Sequence, residues 1–181
     1  EVTDSKGCTD TASMTVTVVE KCTATAPDFS VCEATTLTNA MFISEGAGCS
    51  GPACCEMTLD YTGVNTSIPD DYDYTVTCEC PDGVCDPDVA TGYVTVNPNP
   101  TASITPDPAE VSEGVDLQLH GNPSGGSGTY TSHSWTGSGA TYLSATNVED
   151  PIFNSDTPST YYLTYTVTDS NGCVGSDDIT V

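Results

Sequence analysis

The sequence predicts an all-β fold built from tandem β-sandwich domains that are stapled by disulfides. Three observations predict it: apolar residues alternate with polar ones in several segments, the 181 residues include 10 cysteines, and a motif near the start returns at the end. Alternation with a period of two is typical of strands buried on one face. A high cysteine density with only 2 histidines favours disulfides over zinc and indicates an oxidising, extracellular setting.

The returning motif sets the domain organisation. Val-Thr-Asp-Ser-Lys-Gly-Cys at residues 2–8 reappears as Val-Thr-Asp-Ser-Asn-Gly-Cys at residues 167–173. Such recurrence is typical of tandem arrays, and two sandwich domains of about 80 residues fit between the copies. We therefore predict three parts: the last hairpin of a preceding domain (1–19), a cysteine-rich sandwich (20–97) and a cysteine-poor sandwich (98–181).

Strand signals are clearest in the third part. Apolar side chains alternate with polar ones in two runs: Val115, Leu117 and Leu119, and Tyr161, Leu163, Tyr165 and Val167. The lone tryptophan, Trp135, lies mid-domain, and we expect it to pack in the core. Met14, Val16 and Val18 alternate with threonine, so the first hairpin also has an apolar face. No window of ten or more residues has sustained helical periodicity.

Several segments carry a family resemblance, namely 100–104, 111–115, 130–135, 165–173 and 179–181. Together they resemble a polycystic-kidney-disease (PKD) type domain, which is an immunoglobulin-like β-sandwich, or the related repeat of gliding adhesins. Residues 27–97 resemble the immunoglobulin-like repeats of large bacterial surface proteins. The resemblance implies tandem immunoglobulin-like domains that serve as secreted, calcium-tolerant spacers or adhesive stalks, mostly bacterial or archaeal, without a catalytic site.

The charge balance limits the partners. Lys and Arg number 2 against 26 Asp and Glu, for a formal net charge of -24. Such a field repels nucleic acid and anionic lipid and attracts cations. No apolar run is long enough to cross a bilayer, so we expect no membrane insertion. Neighbouring copies or repeats of the same protein are the expected partners.

The cysteines are predicted to form disulfides within and between domains. An internal alignment places residues 31–37 over 111–117 and sets Cys85 beside Cys173, which predicts a Cys32–Cys85 disulfide and leaves Cys173 without a partner in its own domain. Cys173 and its counterpart Cys8 are therefore candidates for bonds between modules. The pairing of the other six cysteines stays open: Cys22, Cys49, Cys54, Cys55, Cys78 and Cys80.

Acidic loops are candidates for calcium, the one cofactor considered. Carboxylate oxygens suit this cation, and six aspartates lie in two clusters: Asp70, Asp71, Asp73, Asp82, Asp86 and Asp88. The alternative is a solvated acidic surface. Asn65 begins an Asn-Thr-Ser sequon and is a candidate glycosylation site.

The sequence does not support an enzyme. His120 and His133 are the two histidines, no G-x-S-x-G elbow is present, and His133 flanks Trp135 on a predicted strand. Three functions remain: a structural repeat of an extracellular filament or long cell-surface stalk, an adhesive or ligand-binding module of a surface adhesin, and an accessory module of a secreted hydrolase. The first is favoured by the repeat and the disulfide density. Adhesion would require exposed aromatic residues, with Tyr72, Tyr74, Tyr142 and Tyr161 as candidates.

Overall fold

A computed structural model describes residues 1–18, 20–51, 55–80 and 85–181. Its regular structure is β apart from one α-helix, α1 (Asn39–Ser44), and a 3-10 turn at Ala140–Tyr142. The strands are β1 (Val2–Thr3), β2 (Thr9–Asp10), β3 (Thr23–Thr25), β4 (Phe29–Cys32), β5 (Gly48–Ser50), β6 (Glu56–Asp60), β7 (Asp71–Glu79), β8 (Asp88–Asn97), β9 (Pro100–Thr101), β10 (Leu117–Gln118), β11 (Ser124–Gly125), β12 (Tyr130–Thr136), β13 (Ile152–Phe153), β14 (Tyr162–Asp169) and β15 (Val174–Thr180).

The first unit is built on a four-stranded sheet with the order β4-β8-β7-β6. β4 runs parallel to β8, while the other neighbours are antiparallel. A two-stranded ladder of β3 and β5 packs against β7, and β3 also contacts β8. Alternate residues of β7 and β8 point into the core between these layers, namely Tyr74, Val76, Cys78, Val94 and Val96.

The short helix α1 closes the core of the first unit. It contributes Phe42, which is fully buried and packs against Phe29, Tyr61 and Tyr74 with ring centroids 4.5–5.1 Å apart. Aromatic pairs in such tilted or offset arrangements stabilise beyond the area that they bury. The helix has six residues, so no periodicity search over ten residues could find it.

The second unit is built on a three-stranded antiparallel sheet, β12-β14-β15, with two short ladders beside it. The four alternating residues 161, 163, 165 and 167 are buried, as the sequence predicted. Trp135 is 2% exposed, which confirms its place in the core. Its Nε1–H donates to the carbonyl of Val148 at 2.9 Å, so the indole is buried without an unpaired polar atom. Val115 is 52% exposed, and the predicted strand over 115–119 begins only at Leu117.

The chain therefore has the predicted all-β architecture, in two units of packed β-sheets that are linked and braced by disulfides. Each unit has its own hydrophobic cluster, one formed by residues between 22 and 96 and the other by residues between 104 and 179. None of the described helices is long and apolar enough to span a bilayer.

A small hairpin, formed by residues 2–10, lies ahead of the first unit. β1 and β2 are paired through Val2↔Asp10 and Thr3↔Thr9. The following residues belong to no strand, and Met14, Val16 and Val18 are 84%, 69% and 92% exposed. The apolar face predicted for this segment is thus uncovered in this structure.

Candidate functional site

A disulfide joins the two units. Cys32, the last residue of β4 in the first unit, is bonded to Cys173, which lies in the turn between β14 and β15 of the second unit. The Cα atoms are 5.4 Å apart although the residues are separated by 141 positions in the sequence. The bond places the end of one sheet against a hairpin of the next, so the structure makes Cys173 a link between modules.

The predicted Cys32–Cys85 disulfide is wrong. Cys85 is bonded to Cys80 instead. Cys32 pairs in register with Asn97, the last residue of β8, whereas Cys85 precedes Asp88, the first residue of that strand. A ten-residue strand holds its ends roughly 30 Å apart, far beyond disulfide reach. Cys85 and Cys173 do both lie in hairpin turns, but the partner of Cys173 comes from the neighbouring unit.

Hydrogen bonds and a close backbone contact support the disulfide at this junction. Only Pro98 and Asn99 separate β8 from β9. Asn171 Nδ2 donates to Asn97 Oδ1 at 3.1 Å across the junction, and Asn99 Nδ2 donates to the carbonyl of Glu33 at 3.2 Å. Gly175 packs on the carbonyl of Pro100 so closely that a Cβ atom would overlap it.

Asp169 shapes the hairpin that presents Cys173. Its Oδ1 accepts the backbone N–H groups of Asn171 and Cys173 at 3.0 and 2.9 Å, and its Oδ2 accepts that of Ser127 at 2.8 Å. Burial acts to raise the pKa of this carboxyl, but the hydrogen bonds from Ser127, Cys173 and Asn171 prevail and hold the pKa below its usual value. The carboxylate is therefore a fixed internal cap of the turn.

The first hairpin repeats this turn atom for atom. Asp4 Oδ1 accepts the N–H groups of Lys6 and Cys8, both at 2.9 Å, and the Asp4 N–H donates to the carbonyl of Cys8 at 2.9 Å. The Asp169 N–H donates to the Cys173 carbonyl at the same distance. Gly7 and Gly172 both have φ of +81°, a conformation that glycine adopts without strain. Cys8 thus occupies the place of Cys173, but it is exposed and has no partner among the described cysteines.

Three further disulfides lie within the first unit: Cys22–Cys55, Cys49–Cys78 and Cys80–Cys85. Cys49–Cys78 ties β5 to β7. The other two bonds are in contact, since the Sγ atom of Cys22 lies 3.5 Å from that of Cys80 and 3.6 Å from that of Cys85. Cys54 lies outside the described residues.

Among the described residues, the structure does not bring three of the predicted calcium ligands together. Asp88 is bound to Lys21 Nζ at 2.7 Å and caps the N–H of Ala24 at 2.9 Å, and the hydrogen bond from Lys21 is the main reason its pKa is lowered. Asp71 accepts the hydroxyl of Thr95 at 2.6 Å, and Asp82 lies outside the described residues. In the described ranges, the cluster with suitable spacing consists of Cys22, Cys55 and Cys80, and all three are held in disulfides, which do not ligate a metal as thiolates do. Calcium binding at the acidic loops remains a prediction.

Both histidines are engaged with groups other than a serine. His133 Nδ1 is 2.6 Å from the hydroxyl of Tyr165, and His120 Nδ1 is 3.3 Å from Asp150 Oδ2. Burial, with a smaller contribution from Glu149 and Asp150, raises the pKa of Tyr165. This phenol therefore stays protonated and works as a structural hydrogen-bonding group.

The remaining predicted residues have surface or packing roles. Tyr74 and Tyr161 are buried, whereas Tyr72 and Tyr142 are half-buried against the two cores. The four tyrosines therefore do not form an exposed patch. Asn65 is exposed in a turn, where its Oδ1 accepts the N–H of Ser67 at 3.1 Å. Glycosylation of Asn65 stays a prediction.

No protein-family model and no curated protein matches the chain. Among solved structures it is similar to extracellular domains 3–5 of Drosophila OTK, at 13% identity and a TM-score of 0.42, covering 90% of this chain and 61% of that one. It is also similar to Sidekick-1 immunoglobulin domains 1–4, at 10% identity and a TM-score of 0.39, covering 91% and 50%. The fibronectin(III)-like modules of Clostridium thermocellum CbhA match at 11% identity and a TM-score of 0.34, covering 65% and 64%.

The junction is the structural feature that the sequence did not reveal. Its signal was present: the two-residue link Pro98-Asn99 leaves the end of β8 beside the start of the next unit, and Cys173 had no partner inside its own unit. The internal alignment did not reveal the bond between Cys32 and Cys173, because it compares equivalent positions of the two units and does not report contacts between them.

Proposed function

We propose that this chain is a non-catalytic structural segment of an extracellular filament or long cell-surface stalk, made of PKD-like and immunoglobulin-like repeats locked end to end. The observation that carries the proposal is the Cys32–Cys173 disulfide, which fixes two successive units across a link of two residues. A flexible linker would let the units reorient, because relative domain motion is the default for small interfaces. A covalent bond beside so short a link favours a rigid rod.

Other properties agree with an extracellular rod. Structural disulfides persist in oxidising compartments, and four of them join described cysteines. A net charge of -24 keeps neighbouring rods apart in solution. The histidines are held by Tyr165 and Asp150, so the proposal assigns no catalytic role to either ring.

Cys8 extends the proposal to the next link of the rod. Its turn has the same hydrogen bonds and the same glycine conformation as the turn of Cys173, whose partner lies at the end of a sheet strand in a cysteine-rich unit. By this equivalence Cys8 bonds to a cysteine placed like Cys32 in another cysteine-rich repeat. Ile179, which follows Cys173 by six residues, is buried, whereas its counterpart Met14 is 84% exposed. A further sandwich of the same kind would cover that side chain.

Disulfide mapping of native material tests this function. Proteins extracted from the organism that makes this chain are alkylated without reduction, digested and analysed by mass spectrometry. We expect the peptide carrying Cys8 to be disulfide-linked to a peptide of another repeat, and electron microscopy to show straight rods with a unit spacing of a few nanometres. Alkylated, free Cys8 in the native material, or rods that bend freely between units, would overturn the proposal.

A further inference from the structure

The junction disulfide closes a covalent loop that contains most of both units. Residues 33–172 lie inside the loop formed by Cys32–Cys173, and outside it remain residues 1–31 and 174–181. In the two main sheets, β6, β7, β8, β12 and β14 lie within this loop. β4 ends at Cys32, where the loop begins, and β15 starts just after Cys173, where the loop ends. Two covalent routes therefore connect the ends of the chain, and the disulfide route is far shorter.

The shorter route also runs in one direction through both units. β4 is parallel to β8, which ends at the junction, so β4 runs toward the junction. β15 begins directly after Cys173 and runs antiparallel to β14, so it leads away from the junction. The line from β4 through the disulfide to β15 thus passes from the far end of the first unit to the far end of the second.

We propose that the Cys32–Cys173 disulfide is a tension shunt: a pull on the ends of the chain is carried by β4, the disulfide and β15, and bypasses the folded cores. Tension in a polymer follows the shortest covalent path. Both strands on this path are already extended, at about 3.3 Å per residue, so the path has little slack. This inference rests on the proposed stalk function, where a pull between units is the normal load.

The shunt works because the loop shields the core strands from shear. β14 pairs with β12 and β15 over most of its length and contributes Leu163, Tyr165 and Val167 to the core. With the disulfide intact, no covalent end-to-end pull reaches β14, so these ladders need not resist it. Reduction by a dithiol adds two electrons and two protons, converts the bond into two thiols and puts the enclosed chain back under load.

The expected effect is a change in length. Pulled through residues 1 and 181, the oxidised chain can release only the residues outside the loop, which at full extension amount to roughly 130–150 Å. Without the junction disulfide, the shortest covalent path passes through the remaining disulfides of the first unit and then along residues 85–181. The fully extended chain then becomes longer by roughly 280–310 Å. Full reduction releases still more, since every loop opens.

Single-molecule force spectroscopy on the full chain between marker domains measures this length directly. The C32A/C173A double variant should show the longer contour, and adding a dithiol to the wild type should lengthen each molecule in place. The matched control is C49A/C78A, which removes a disulfide enclosed by the shunt and should leave the contour unchanged. The readout holds even where a variant folds poorly, since contour length does not depend on folding.

Two results would overturn the shunt: a C32A/C173A contour equal to that of the wild type, or an equal lengthening in C49A/C78A. Neither result bears on where the protein is located or whether it forms rods. Those points are decided by the mapping and microscopy of native material, so the two proposals fail separately.

Discussion

Asp169 accepts the backbone N–H of Cys173 at 2.9 Å, so a buried carboxylate holds the turn whose cysteine joins the two units. The same carboxylate ties this turn to Ser127 on a neighbouring loop. This acidic side chain of the second unit therefore helps to fix the turn that presents Cys173 to the first unit.

Replacing that carboxylate should destabilise the second unit. In D169N the amide keeps the size of the side chain, but one terminal atom becomes a donor and can no longer accept from Ser127 or from the turn. We expect a loss of about 2 kcal/mol or more in the free energy of unfolding, because hydrogen bonds to a charged group are lost and a partly or fully buried backbone N–H is left unpaired. Urea denaturation followed by the fluorescence of Trp135, the single tryptophan, reports on this unit. D4N, the same change in the exposed first hairpin, is the control and should leave the midpoint unchanged.

The same carboxylate predicts an acid dependence. The pKa of Asp169 in the folded chain lies below its ordinary value of 3.8, so its contribution to stability is present above that pH and is lost as the pH falls through the folded pKa. The difference in urea midpoint between wild type and D169N should be constant from pH 5 to 6 and should shrink below pH 3.8. A difference that grows on acidification would contradict this assignment.

Gly175 should tolerate no larger residue. A Cβ atom there would overlap the carbonyl of Pro100, where β15 crosses β9. We expect G175A to cost about 1–3 kcal/mol, the usual range for overpacking, and to disturb the junction. Differential scanning calorimetry measures the loss. Gly63 has open space around its Cα atom, and G63A should leave the melting temperature unchanged. Equal effects of the two substitutions would mean that the close approach is not present in solution.

Reduction should affect the first unit most. Three of the four disulfides between described cysteines lie within residues 20–97, and each native disulfide of a small domain contributes about 2–5 kcal/mol. Hydrogen exchange read peptide by peptide, with and without a dithiol, should show protection lost from β7 and β8 at a lower temperature than from β14 and β15. Equal losses in the two units would contradict the prediction.

The fold class could be predicted from the sequence because long strands such as β14 alternate apolar and polar residues. Leu163, Tyr165 and Val167 are all buried, as the period of two predicted, and Trp135 lies in the core, as its mid-domain position predicted. The strand predicted over residues 115–119 was correct only in part. Val115 is apolar yet exposed, because the strand starts two residues later. The helix that buries Phe42 leaves no periodic signal at six residues.

The site could be predicted only in part. The sequence identified Cys173 as a cysteine without a partner in its own unit, since Ser112 stands where an early-strand cysteine would be. It could not identify Cys32 as the partner, because disulfide connectivity depends on which ends of the strands meet and periodicity does not report this. The direction of β8 determines which of its ends lies beside Cys32, and that direction follows from the parallel pairing with β4.

The separation between Cys32 and Cys173 also affects how the protein is made. The two residues are 141 positions apart, which at about 5–20 residues per second means that a ribosome delivers the second cysteine about 7–28 s after the first. The cysteines of the other three disulfides are separated by 33, 29 and 5 positions, so each of those pairs is complete much sooner. During the interval Cys32 is a thiol beside a nascent chain that already contains Cys8, in a turn shaped like that of its true partner. Faithful oxidation therefore requires that any early bond between these two cysteines be reopened, so the yield of correctly paired chain depends on thiol–disulfide exchange during folding.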